Sequence, residues 1–125
     1  MARILVIDDE PHLRTLIQKF LLLDDHEVDL VENGNKGLKL IGGNSYDLVI
    51  TDIVMPEKDG LEVIMELKQL FPHIRIIVIS GGGERLNIQD LLKMATLMGA
   101  DRVMSKPLDF TKLQTAVREV LAIQL

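Results

Sequence analysis

Four apolar, strand-like runs in this chain each end at a residue that can do chemistry. Arg3-Ile4-Leu5-Val6-Ile7 runs into Asp8-Asp9, and Leu48-Val49-Ile50-Thr51 into Asp52. Ile74 to Ile79 runs into Ser80, and Arg102 to Ser105 into Lys106. Residues that end parallel strands can gather at one edge of a sheet, and this edge would hold three carboxylates, a hydroxyl and an ammonium. Three acids at one place repel, and without a counter-ion one of them holds a proton more readily. Mg²⁺ relieves that repulsion; it takes oxygen ligands, commonly one or two carboxylates with waters and phosphate oxygens. A carboxylate can also act as a nucleophile toward phosphorus and form an aspartyl-phosphate. Such a transfer needs charge neutralisation and in-line positioning more than proton chemistry. Lys106 can neutralise one phosphoryl oxygen and Ser80 can hydrogen-bond another. Backbone N–H groups of the glycine-rich segment after Ser80 can add to the cradle. Alone, each residue has an ordinary use: a helix cap for Asp8 and Asp9, a turn for Asp52, a loop serine, a solvated lysine. Together, in this order and each at a strand end, they argue for a site.

The elements that must position them alternate in type. Pro11 suits the first turn of a helix, where a missing N–H costs little. Leu13, Leu16, Ile17, Phe20 and Leu21 then recur with helical period, and Asp24-Asp25-His26 closes that helix. Val28, Leu30 and Val31 suggest a second strand. Asn33-Gly34 reads as a turn, Lys36 to Ile41 as a short helix, and Gly42-Gly43-Asn44 as its stop. The third strand spans Asp47 to Thr51. Pro56 to Gly60 reads as a loop, Leu61 to Leu67 as a third helix, and Phe71-Pro72 as its end. A fourth helix covers Asn87 to Met98 with Gly99 as its stop. After the strand Arg102 to Ser105, a last helix starts at Asp109, a suitable N-cap. Leu113, Ala116, Val117, Val120 and Leu121 share one of its faces.

These are five βα repeats in one domain, residues 1–125. The connections are too long for hairpins and suit right-handed crossovers. Strands of consecutive apolar residues fit a sheet covered by helices on both faces. The class is α/β with a doubly wound parallel sheet.

Composition narrows the function. The net charge is −5 with no basic run, which disfavours nucleic-acid binding by this chain alone. Aromatic residues make up 3% of the chain, too few for a base-stacking surface. The absence of cysteine excludes disulfides, thiolate catalysis and thiolate metal sites. No apolar stretch is long enough to span a membrane, and the amino terminus does not read as a signal peptide. The expectation is a cytoplasmic protein.

At this point the chain resembles the receiver domain of bacterial two-component response regulators, over essentially its whole length. Ile4 to Pro11 is similar to the family's opening strand and acidic pair. Asp47 to Pro56 is similar to the segment around its phosphoacceptor, and Asp59-Gly60 continues that loop. Ser80 stands where the family places Ser or Thr, and Lys106-Pro107 matches its lysine-proline pair. The resemblance implies a flavodoxin-like (βα)5 fold with strand order 2-1-3-4-5. It implies that Asp52 accepts a phosphoryl group from a sensor histidine kinase or phosphotransfer protein. It further implies Mg²⁺ held by Asp8, Asp9, Asp52 and the backbone carbonyl of Val54. Ser80 and Lys106 would bind the phosphoryl oxygens, and the Lys106–Pro107 bond would be cis. The protein would then be a signalling switch and not an enzyme in the ordinary sense, acting on a downstream protein target.

Two departures from the family pattern matter. Val103 stands where the family often has a switch Tyr or Phe, so no aromatic ring can report phosphorylation. Gly81-Gly82-Gly83-Glu84-Arg85-Leu86 lengthens the gap between Ser80 and Lys106, and three glycines are costly to order. That segment is expected to be mobile without phosphate or metal. Val54 and Gly82 beside the site lack a group to position water, so self-dephosphorylation is expected to be slow. His12, His26 and His73 share no ligand spacing. Leu91, Leu92, Met94, Ala95, Leu97 and Met98 exceed what one core stripe needs. Most should be core; the remainder offers a partner or homodimer surface on the fourth helix and last strand. A phosphatase of the same nucleophile type would want a second acid two residues after it, where Val54 stands. A flavin carrier would want a hydroxyl-rich loop where Asp8 and Asp9 stand. The remaining alternative is a phosphorylation-independent interaction domain on the same scaffold.

Overall fold

The computed structural model describes residues 1–53, 60–81 and 88–122, without the side chains of Ile88, Leu91 and Leu92. Five strands alternate with five helices: β1 (Arg3–Ile7), α1 (Pro11–Leu23), β2 (Glu27–Val31), α2 (Gly34–Gly43), β3 (Leu48–Asp52), α3 (Gly60–Leu70), β4 (Arg75–Ser80), α4 (Ile88–Leu97), β5 (Arg102–Ser105) and α5 (Phe110–Leu121). All pairings are parallel and the order is β2-β1-β3-β4-β5. This is the doubly wound order that the family resemblance implies.

Side chains of a strand alternate between faces, which explains two separate cores. Leu5, Ile7, Val49, Ile76 and Val78 meet Ile41, Val63, Ile64, Leu67 and Ala95 from α2, α3 and α4. Ile4, Val6, Leu48, Ile50, Ile77 and Ile79 meet Ile17, Leu21, Leu113, Val117 and Val120 from α1 and α5. Most of these side chains are fully buried. At about 1.5–3 kcal/mol per fully buried large aliphatic side chain, they hold the strand ends in register. The C-terminal edge of the sheet is therefore a rigid shelf.

Local signals explain most helix boundaries. Pro11 opens α1 as expected. Asp109 caps α5, its carboxylate accepting the Lys112 N–H at 3.0 Å. Gly99 closes α4 with φ +114°, a conformation that favours glycine. Helix α2 differs from the expectation. Asn33 is its N-cap instead of a turn residue, accepting the Lys36 N–H at 2.9 Å. Gly42 and Gly43 stay helical, and the helix stops one residue later, where Asn44 Nδ2 donates to the Leu40 carbonyl. Gly60 begins α3 instead of ending a loop. A Cβ there would stand 2.3 Å from the Asp52 carbonyl oxygen, so only glycine lets the helix start this close to β3.

Candidate functional site

Asp8 follows β1 directly, its N–H donating to the Val31 carbonyl of β2 at 3.2 Å. Its carboxylate is fully buried and its two oxygens do different work. Oδ1 accepts the Glu10 N–H at 2.8 Å, a local turn that feeds the chain into α1. Oδ2 is buried and accepts no hydrogen bond among the described residues. Arg14, one turn into α1, donates to the Asp8 carbonyl at 2.6 Å and fixes the backbone beneath it.

Asp52 ends β3 in register with Ile79 of β4 and is 3% exposed. Lys106 follows β5; its N–H donates to the Ser80 carbonyl at 3.0 Å, and the Lys106–Pro107 bond is cis. The lysine stem lies along Gly81, where a Cβ would stand 3.4 Å from Lys106 Cδ. Its ammonium lies 2.8 Å from Asp52 Oδ2, 2.7 Å from Glu10 Oε1 and 3.4 Å from Asp8 Oδ2. Ser80 is fully buried at the end of β4, beside Ser105 in the register. The shelf thus brings together Asp8, Asp52, Ser80 and Lys106. Asp9 is exposed, yet it offers a carboxylate oxygen within 4.8 Å of those of Asp8, Glu10 and Asp52. Val54, and the glycine-rich segment from Gly82 onward, lie outside the described residues.

Burial and charge shape the protonation of the site. Burial pushes the Asp8 carboxyl up from 3.8 to about 6; the Glu10 N–H pulls the other way, and the Asp52 charge adds to the rise. Burial alone would lower the Lys106 ammonium, but hydrogen bonds to Asp52 and Glu10 outweigh it and hold the group above its ordinary range.

Glu10 and Arg14 were not legible as site residues in the sequence. Glu10 is 96 residues from Lys106 along the chain, and their contact exists only once β1 and β5 share an edge. The acid directly after the Asp8-Asp9 pair was the one available hint.

The response regulator receiver domain family matches residues 4–118. The chain belongs to the response regulator receiver family. It is 33% identical over 121 residues to the transcriptional regulatory protein PcoR of Escherichia coli, covering 97% of this chain and 52% of that protein. It is 30% identical over 119 residues to the chemotaxis protein CheY of Halobacterium salinarum, covering 95% of this chain and 96% of that protein. Among solved structures, a receiver domain protein from Clostridium thermocellum superposes with TM-score 0.88 at 32% identity, covering 97% of this chain and 94% of that one. The regulator TrrA from Thermotoga maritima, solved in complex with Mg²⁺ and BeF, gives TM-score 0.82 at 36% identity, covering 96% of this chain and 99% of that one. This receiver spans about half or less of the length of several curated relatives, among them PcoR and the Azospirillum brasilense regulator NtrC.

The donor set fits the hard cation that the class implies. It is all oxygen, and the orphaned Oδ2 of Asp8 stands among the carboxylates.

Proposed function

We propose that Asp52 is the phosphoacceptor and that Asp8, Asp9 and Asp52, with the Val54 carbonyl, hold Mg²⁺. The observation that carries this reading is the Asp52 carboxylate. It is nearly buried at the strand end, 2.8 Å from an ammonium and beside the Asp8 oxygen that accepts no hydrogen bond among the described residues. An Asp52 oxygen attacks the phosphorus of a phosphohistidine on a sensor histidine kinase or phosphotransfer protein. The P–O bond forms as the P–N bond breaks, and the electron pair leaves with the imidazole nitrogen. Lys106 offsets charge on the phosphoryl oxygens as it moves, and Ser80 supplies a hydroxyl to another oxygen. When bound, Mg²⁺ neutralises carboxylate and phosphoryl charge.

With Val103 in place of an aromatic, the change passes through Ser80, the following loop and α4. Val103 is half-buried and packs on the core beneath α4. Ala95 is buried and Met98 packs on the core, whereas Met94 and Leu97 are exposed. Those two residues with β5 form the surface for a downstream protein or a second copy. The side chains of Leu91 and Leu92, part of the apolar group expected on this helix, lie outside those described. Among the described residues no helix is long and apolar enough to cross a membrane; a cytoplasmic location is the reading that the class supports. Slow self-dephosphorylation rests on the sequence of Val54 and Gly82 alone.

Intact mass after incubation with acetyl phosphate and Mg²⁺ tests this reading, with Asp52→Asn alongside. One added phosphoryl group that needs both Mg²⁺ and Asp52 is the expected result. No adduct on a folded protein would leave a scaffold that binds partners without phosphorylation.

A further inference from the structure

We infer that Glu10 is a built-in stand-in for a phosphoryl oxygen, occupying a Lys106 donor that the phosphorylated state requires. The inference rests on the reading of Asp52 as the phosphoacceptor. An ammonium has three donors and no acceptor. Here Asp52 and Glu10 take two at hydrogen-bond distance, while Asp8 Oδ2 lies 3.4 Å away and accepts no hydrogen bond among the described residues. An arriving phosphoryl group therefore competes with these carboxylates for the ammonium.

The three carboxylates differ in how easily they can go. Asp8 is fully buried and anchored through Oδ1 to the Glu10 N–H. Asp52 is the attachment point. Glu10 has a side chain 59% exposed, on a longer stem, and can turn into water at little cost.

A second observation shows that the Glu10 side chain is not needed elsewhere. Glu10 is the N-cap of α1 but makes no side-chain cap hydrogen bond. Its helix-start duty is met by Pro11 and by Asp8 Oδ1. The carboxylate instead crosses to the far edge of the shelf and neutralises Lys106, giving the resting site an anion where the phosphoryl oxygens will come. Its charge also opposes an incoming anion directly. Glu10 is thus a positioning residue that acts through Lys106 and sets how readily the site accepts phosphoryl.

The test is a beryllofluoride titration of the full chain at saturating Mg²⁺, followed by amide NMR shifts. It is run on the wild type, Glu10→Gln and Glu10→Ala, with a separate Mg²⁺ titration and a thermal melt for each. Since the cap position carries no side-chain bond, both variants should melt near the wild type. Both should bind beryllofluoride tighter, by about 2–5-fold for loss of one partly exposed competing ion pair. Acceptance from acetyl phosphate should rise in parallel. Weaker or unchanged beryllofluoride binding in the two variants, with the wild type binding, overturns the inference while leaving Asp52 as acceptor. Joint loss of Mg²⁺ and beryllofluoride affinity would make Glu10 part of the cation site and also overturns it. A wild type that takes no beryllofluoride overturns both readings.

Discussion

Asp8 Oδ2 lies 3.4 Å from Lys106 Nζ, inside ion-pair range, yet accepts no hydrogen bond among the described residues. The lysine is shared, and Asp52 and Glu10 hold it closer. A buried carboxylate left in this position is poorly compensated, and burial raises Asp8 to about 6.

The pH dependence follows from that rise. The folded protein binds the Asp8 proton more tightly than the unfolded chain, whose ordinary value is 3.8. Charged Asp8 therefore costs stability above pH 6, and the cost fades as pH falls through 6 toward 3.8. It amounts to about 1–3 kcal/mol. Asp8→Asn should raise the metal-free melting stability at pH 8 by that amount and abolish the gain on acidification. It should also weaken Mg²⁺ binding. Denaturant melts at pH 5 and pH 8 measure both; a variant less stable than wild type at pH 8 would contradict the account.

His26 should titrate in the opposite sense. The Ala2 N–H donates to His26 Nδ1 at 3.1 Å, so that nitrogen must be unprotonated. Nε2 is buried and makes no hydrogen bond among the described residues. Burial holds the imidazole below 6.5, against the opposing pull of Asp24, with Asp25 and Asp47 also favouring the charge. Its contribution to stability is present above the unfolded value of 6.5 and is lost as pH falls through the lowered folded value. A proton NMR titration should show His26 titrating below 6.5; a midpoint above 6.5 would refute this.

The repeats were legible because the five apolar strands and the helical segments between them are written locally. Asp109 could be recognised as a cap and Gly99 as a stop from residue type alone. The site was legible because Asp8, Asp52, Ser80 and Lys106 each close a strand, and parallel strands in one sheet bring such ends to one edge. What escaped depends on tertiary geometry. The Glu10–Lys106 contact joins opposite ends of the chain. The helical state of Gly42 and Gly43 shows that glycine marks a stop only when the surrounding chain leaves. The division of α4 into buried Ala95 and exposed Leu97 needed the sheet to say which side faces in.

Among the described residues of the fourth helix, Leu97 is the most exposed large hydrophobic side chain, at 87%. It lines a shallow groove with Gln89, Lys93, Thr96 and Val103. If a second copy covers this face, Leu97→Glu should weaken self-association about 10–100-fold, the loss expected for one buried leucine. Sedimentation over a concentration series would show it. A wild type that stays monomeric at every concentration removes the dimer and leaves a different partner for the surface.

Gly60 and Gly42 should respond to alanine in opposite directions. At Gly60 a Cβ would meet the Asp52 carbonyl oxygen at 2.3 Å and Ile53 Cα at 2.6 Å, and both are backbone atoms. Neither can move without shifting the end of β3, which the Gly60 N–H also grips through the Ile53 carbonyl at 2.7 Å. Gly60→Ala should cost about 1–3 kcal/mol or more and should slow phosphoryl acceptance, because the displaced backbone carries Asp52. At Gly42 an added Cβ meets nothing within 4 Å, and the residue lies in a helix. Gly42→Ala should stabilise by about 0.5–1 kcal/mol through the smaller backbone entropy loss, with phosphorylation unchanged. Chemical denaturation of the two variants beside wild type gives both signs. Equal effects at the two positions would mean that the tight approach of α3 to β3 does not hold the acceptor in place.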